Sequence, residues 1–378
     1  MRTLTRRQVL EAAAAATAGT AAAGIVGTGR ARADYAIVVD PATNYGAWEG
    51  WGASLSWWAG AFGGDDTLAD LFFTRGDVPY GGRVLPGLGL NLARYDVGAC
   101  TWQPAGGQQA RMVASPNIWR VRQTEGYWLD WYSADPGSAS WNWAADATQR
   151  AMLGKARDRG VNLVEFFSCS PLWWMCLNSN PSGAADGGDN LQSWNYRQHA
   201  VYLATVAARA RDAWGVPVTS VEPFNEPSAS WWKANGTQEG CHVSPGIQEQ
   251  VIGYLRTELD ARGLTGVAVA ASDENSYDAA TATWTGFAAA TRSRVGRVNV
   301  HGYQTSDTGA ARRGLYAAVH GAGKTLWQSE YGEGYAHGLY LAYNLSADLR
   351  YLHPTAWCYW QPVDAASWGL VKATYTDP

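Results

Sequence analysis

Eight short runs of apolar, β-branched and aromatic residues recur along the chain, at 49–57, 88–97, 161–170, 218–226, 267–274, 297–303, 324–331 and 355–360. Longer stretches with helical patterning lie between them, notably 144–160, 194–215 and 246–263. Each of these closes on a glycine (Gly160, Gly215, Gly263), as a helix C-terminus often does. Eight strands alternating with helices predict a (β/α)8 TIM barrel rather than an open doubly wound sheet. The 378 residues are enough for one large barrel-sized domain or two ordinary ones. No GxGxxG follows the first run and no Walker motif occurs, so a nucleotide role has nothing to rest on.

Residues 1–33 read as an address rather than as part of the fold. Arg6 and Arg7 precede an Ala-rich stretch, and Ala31-Arg32-Ala33 is a small-x-small cleavage site. The arginine pair points to twin-arginine export, with an ordinary signal peptide as the alternative; either predicts a secreted mature protein. No later run reaches the roughly eighteen apolar residues of a membrane span, so no membrane anchor is expected. A net charge of -4 with scattered Lys and Arg offers no footprint for nucleic acid or anionic lipid.

Five cysteines would enter an oxidising compartment, and an odd number leaves at least one thiol unpaired. Cys176 and Cys241, both in loops after predicted strands, are the expected disulfide pair. Cys169 and Cys358 fall inside apolar runs and read as small buried hydrophobes. No CxxC occurs and the histidines lie far apart, so no zinc site is expected.

In such a barrel the chemistry sits where the strands end. The fourth run ends on Asn225 and Glu226, with Pro227 stopping it, and the seventh ends at Glu330. Arg94 and Asp96 end the second run, His301 and Tyr303 the sixth, and Trp360 and Gln361 the eighth. Polar residues at the ends of apolar strands are costly unless they are paired or functional. Two carboxylates from different strands facing one mouth suggest a glycosidase, because cleavage with retention needs one protonated carboxyl group and one ionised one. On that reading Glu226 is the acid, Glu330 the nucleophile held ionised by Arg94 or Tyr303, and Asn225 a donor to the sugar 2-hydroxyl. A Glu near a strand end is more often a solvated or ion-paired residue, and His301 and Tyr303 read equally well as packed rim residues or sugar ligands. Glu222, four residues before Glu226, points into the barrel and reads as structural, as do Glu165, Asp273, Glu274, Glu333 and Asp364.

The stretches "GWGASLSWWAG", "NLARYDVG", "SCSPLWWM", "VEPFNEPSASWWKANGTQEGCH", "WQSEYGEG" and "YWQPVD" together resemble glycoside hydrolase family 30, most closely its endo-β-1,6-galactanase branch. The resemblance runs from about Trp48 to the end of the chain. It implies a retaining clan A hydrolase that needs no cofactor or metal and cuts β-1,6-galactan such as the side chains of arabinogalactan. Glu226 falls on the family's acid/base, Glu330 on its nucleophile, and Asn225 and Arg94 on sugar-contacting or nucleophile-supporting positions. Trp57, Trp58, Trp174, Trp232 and Trp360 would line a groove for successive sugar rings, with one tryptophan of each adjacent pair packing inward.

Two departures from the family pattern stand out. Cys169 in "SCSP" replaces a usual Asn, which loses strong hydrogen-bonding groups. The resemblance also implies a last helix and a β-rich side domain after the eighth strand, whereas this sequence ends at "ATYTDP". The expected organisation is therefore an export signal at 1–33, a segment at 34–47 belonging to a side β domain, and a catalytic barrel at 48–378 truncated before its outer helix, with an exposed apolar seam. A monomer is expected. The same mechanism on β-1,6-glucan, xylan or a β-glucosyl conjugate, and an inactive carbohydrate-binding barrel, stay open as alternatives.

Overall fold

The computed structural model describes residues 40–335, 337–365 and 368–374. The expected export signal and residues 34–39 lie outside the described residues. Two compact units are distinguished, Met1–Asn44 and Tyr45–Pro378. In the first, Asp40 organises a turn by accepting from the Ala42 N–H and the Thr43 hydroxyl.

The second unit is built on eight barrel strands: β1 (Gly50–Ser54), β2 (Leu92–Asp96), β3 (Leu163–Phe167), β4 (Val218–Glu222), β5 (Ala268–Glu274), β6 (Val295–His301), β7 (Thr325–Glu330) and β8 (Ala356–Tyr359). Neighbours follow sequence order and β1 pairs with both β2 and β8, so the parallel sheet closes on itself. This is the (β/α)8 barrel that the alternating pattern predicts. At its seam Gly52 lies so close to β2 that a Cβ there would sit 2.5 Å from the Leu92 side chain. A larger residue would push β1 away from β2.

The three helices predicted from patterning form as Ala147–Asp158, Tyr196–Arg209 and Pro245–Ala261. Gly160, Gly215 and Gly263 beyond them all take positive φ. On Tyr196–Arg209 every residue from Tyr202 to Ala207 is buried, together with His199 and Ala200, so this helix is buried on most of its sides rather than along one face. Strand ends differ from the sequence expectation where a turn consumes the last residues. The first run stops at Ser54 and a helix begins at Ser56, while the fourth stops at Glu222 and leaves Pro223–Pro227 as a turn. Among the described residues no helix follows β8; Val363–Asp364 instead pairs with Val371–Lys372. No helix among them is long and apolar enough to cross a membrane.

The expected Cys176–Cys241 disulfide is not formed: all five cysteines are free and buried. The Cys176 thiol points at the Pro171 and Leu172 carbonyls and the Cys241 thiol at the His242 carbonyl. Cys169 packs with Trp57, Phe167 and Trp360, and Cys358 with Leu92 and Trp327, as small hydrophobes.

Much of the polar barrel interior is paired around Glu165. Glu165 accepts from Arg94 Nε at 3.0 Å, Asn299 Nδ2 at 2.8 Å and Ser220 Oγ at 2.8 Å, and it also binds Arg297. Such a network holds while each charge keeps its partner. Glu165→Ala would strip that partner from two buried guanidinium groups, and urea unfolding should then show a loss of about 3–5 kcal/mol. A loss below about 1 kcal/mol would mean that the network does not support the barrel.

Candidate active site

The turn after β4 presents Glu226. His199, from the helix packed behind, donates through Nε2 to the Pro223 carbonyl at 3.0 Å, and burial keeps this ring neutral by pushing its pKa down to about 4. Glu226 itself has φ +47°. Its backbone is held from both sides, the N–H donating to the Asp273 carbonyl and the carbonyl accepting from Trp232 Nε1, each at 2.9 Å. A left-handed non-glycine residue costs energy that such restraints must offset, and that cost is commonly found where a side chain must be aimed.

Oε1 of Glu226 accepts from His301 Nδ1 at 3.0 Å and Asn275 Nδ2 at 2.7 Å. Across the mouth, Glu330 ends β7. Its Oε2 accepts from Arg94 Nη1 at 3.2 Å and its Oε1 from the Tyr303 hydroxyl at 3.0 Å. One oxygen of Glu226, one of Glu330 and a ring nitrogen of His301 all lie within 4.8 Å of one another.

Behind this pair lies a layer of fixed charge. Asp273 is ion-paired with Arg94 and sits 3.1 Å from His301 Nε2. Burial alone would raise the Asp273 pKa, but Arg94 and His301 outweigh it and hold the carboxyl well below its ordinary range. Burial would likewise lower His301, but Glu330 and Asp273 lift it well above an ordinary imidazole. The two ring nitrogens of His301 face Glu226 and Asp273, so both are engaged by carboxyl groups of the site.

Burial pushes Glu330 up to about 7; His301 and Arg94 pull it down and Glu226 pushes it up. Arg94 and Tyr303 donate to Glu330 and favour its ionised form against the burial that raises it. A pair holding one proton and one negative charge can donate and attack in a single step. The nucleophile must be ionised to attack, so activity should rise as pH rises through about 7, where Glu330 gives up its proton. Tyr303→Phe removes a donor to the charged form and raises the Glu330 pKa. The acid limb of kcat/KM should move to higher pH while its plateau drops about tenfold. A limb that stays in place would mean that the Tyr303 bond does not set it.

The carboxylates open onto a cavity of about 720 Å³. Asn225, Tyr303, Trp57, Trp232 and Trp360 line it, together with Trp231, Trp368, Arg122 and Asn275. The sequence placed the first five at the rim and missed the last four. Asn275 directly follows the acidic end of β5, so the strand-end rule could have found it; Trp368 lies in irregular chain after β8, where no pattern flags it.

Several expectations need correction. Trp58 packs on Phe72, fully buried, with its N–H on the Ser54 carbonyl. Trp174 packs against Trp128 and Trp131. Neither lines the groove: Trp58 follows the cavity-lining Trp57 on one helix, Ser56–Phe62, which turns the two rings to different sides, and Trp174 lies in the 3-10 turn Trp173–Met175. Asp96 is buried at the end of β2, accepting from Thr124 Oγ1 at 3.0 Å, with its pKa raised by burial to about 6. It does not face the cavity. Arg94 and His301 are fully buried and act on the carboxylates rather than lining the groove. Asp273, read as structural, reaches both of them. Glu222 is buried below the site with its pKa well raised, by burial first and then by Asp273 and Glu165.

The family model of O-glycosyl hydrolase family 30 matches residues 34–289. An endo-beta-1,6-galactanase from Hypocrea rufa is 56% identical over 342 residues, covering 90% of this chain and 70% of that protein. An exo-beta-1,6-galactobiohydrolase from Bifidobacterium longum subsp. longum is 25% identical, covering 96% of this chain and 29% of that protein. Among solved structures, a conserved exported protein from Bacteroides fragilis aligns with TM-score 0.70 at 20% identity, over 86% of this chain and 72% of that one. The catalytic domain of GH30 xylanase C from Talaromyces cellulolyticus aligns with TM-score 0.61 at 17% identity, over 88% and 72%. At these identities the structural likeness speaks to the fold alone.

Proposed function

Since the chain belongs to glycoside hydrolase family 30, we propose that it is a retaining endo-acting hydrolase of β-1,6-galactan, the linkage cut by its Hypocrea rufa relative. The observation that carries the mechanism is the approach of Glu226 and Glu330 oxygens to within 4.8 Å. Retaining enzymes hold their carboxyl groups about 5–5.5 Å apart, whereas inverting ones leave roughly 6.5–9.5 Å for a water.

In the first step the Glu330 carboxylate attacks the anomeric carbon and the glycosidic C–O bond breaks. The leaving oxygen takes the Glu226 proton as it departs, and a glycosyl ester on Glu330 results. In the second step Glu226, now ionised, removes a proton from water, whose oxygen displaces Glu330. Arg94, Tyr303 and His301 face the negative charge that Glu330 carries before attack and recovers at the end. Asn225 lines the cavity beside the acid, where an amide donor suits a sugar hydroxyl. Trp57, Trp232 and Trp360 supply flat apolar faces for sugar rings.

The test is reducing-sugar release from debranched β-1,6-galactan beside xylan and β-1,6-glucan. Release from the galactan alone is expected; release from another polymer alone would replace the substrate and leave the mechanism standing. The paired Arg6 and Arg7 and the Ala31-Arg32-Ala33 site further support export by the twin-arginine route. Changing both arginines to lysine should then keep the precursor inside the cell, and unimpaired secretion would contradict that route.

A further inference from the structure

The cavity does not end at its own wall. The segment before the 3-10 turn Arg120–Arg122 is clamped to the rim formed by Asn235, Gly236 and Thr237. Asn117 Nδ2 donates to the Asn235 carbonyl at 2.7 Å, Ser115 Oγ to the Gly236 carbonyl, and Arg122 Nη1 to the Thr237 carbonyl at 3.4 Å. Gly236, Thr237 and Arg122 all line the cavity. The Arg122 guanidinium lies 4.3 Å from the ring centre of Trp57, in the cavity wall, and 5.2 Å from that of Trp119. The two indoles can be no further apart than those distances laid end to end, which is within the reach of a disaccharide. Yet their exposure differs sharply, 7% for Trp57 against 50% for Trp119.

An exposed indole costs the free protein contact with water across an apolar face. Here the backbone that carries it is already tied down, so little ordering remains to oppose binding. Its neighbours also fit a sugar: an apolar ring face stacks on the CH face of a hexose, and an adjacent guanidinium donates to hydroxyl groups.

We propose that Trp119 is the platform of a distal sugar subsite, continuous over Arg122 with the catalytic cavity and occupied by a further ring of the same polysaccharide chain. This rests on the reading of the cavity as the site of a polysaccharide hydrolase. Trp119 touches neither carboxylate, so it would contribute binding only when the substrate is long enough to reach it.

The test is kcat/KM for wild type and Trp119→Ala on β-1,6-galacto-oligosaccharides of increasing length, with β-1,6-gluco- and xylo-oligosaccharide series run alongside. The shortest cleaved substrate should be unaffected, and the longest should lose about threefold to tenfold, mainly through KM. Trp119→Phe, which keeps a flat ring, should recover most of that loss. Trp119→Gln repeats the measurement without the ring should the Ala variant fold poorly. An equal loss at every length would show that Trp119 supports the fold, and no loss at any length would show that no sugar reaches it; either overturns the subsite. If wild type cleaves none of the galactan series, the substrate assignment fails instead, and Trp119 is judged by the same criterion on the series that is cleaved.

Discussion

Glu330→Gln should lower kcat on the order of 10⁵-fold on every substrate, whether the leaving group is a sugar or an activated phenol. The amide keeps the shape of the side chain and can still meet Tyr303 and Arg94, so the fold should persist. What it loses is the negative oxygen that forms the ester. No leaving group compensates for a missing nucleophile, so the loss should be blind to leaving-group pKa. Steady-state rates on an aryl β-galactoside and on galactan measure this directly. A variant that retains more than about one hundredth of wild-type activity on either would remove Glu330 from the nucleophile's role.

Glu226→Ala should behave differently, and the contrast separates the two carboxyl groups. On galactan, where a poor leaving oxygen needs a proton, the loss should be about a thousandfold. On a dinitrophenyl glycoside, whose phenolate leaves unassisted, formation of the glycosyl ester should be nearly normal. Its hydrolysis, which needs a base to activate water, should become slow. A burst of phenolate followed by a slow steady state is therefore expected, and azide should restore turnover because it attacks without a base. Equal losses on both substrates, with no effect of azide, would mean that Glu226 does not handle the proton.

Much of the frame was legible because strand and helix periods are written in local residue order. Glu226 and Glu330 could be placed at one mouth because the barrel rule converts a strand's last residues into a position in space. The charged layer behind them was less legible. Asp273, Arg94 and His301 come from β5, β2 and β6, and only side-chain reach across the barrel brings them together. The tryptophans were the weakest inference, because an adjacent pair does not reveal which ring faces in. Trp58 and Trp174 went into the core, the first on a helix beside the cavity-lining Trp57 and the second in a 3-10 turn. Trp231 and Trp232 both reached the cavity. The Cys176–Cys241 pairing failed for a related reason: loop position alone does not aim two thiols at one another.

The most direct measurement is the anomeric configuration of the first product, followed by proton NMR in the minutes before mutarotation, on a β-1,6-galacto-oligosaccharide or on whichever β-linked oligosaccharide is cleaved. Two displacements at one carbon, through an ester on Glu330, predict that the β-anomer appears first. An α-anomer appearing first would require a single displacement by water and would contradict the assignment of Glu226 and Glu330 as a retaining pair.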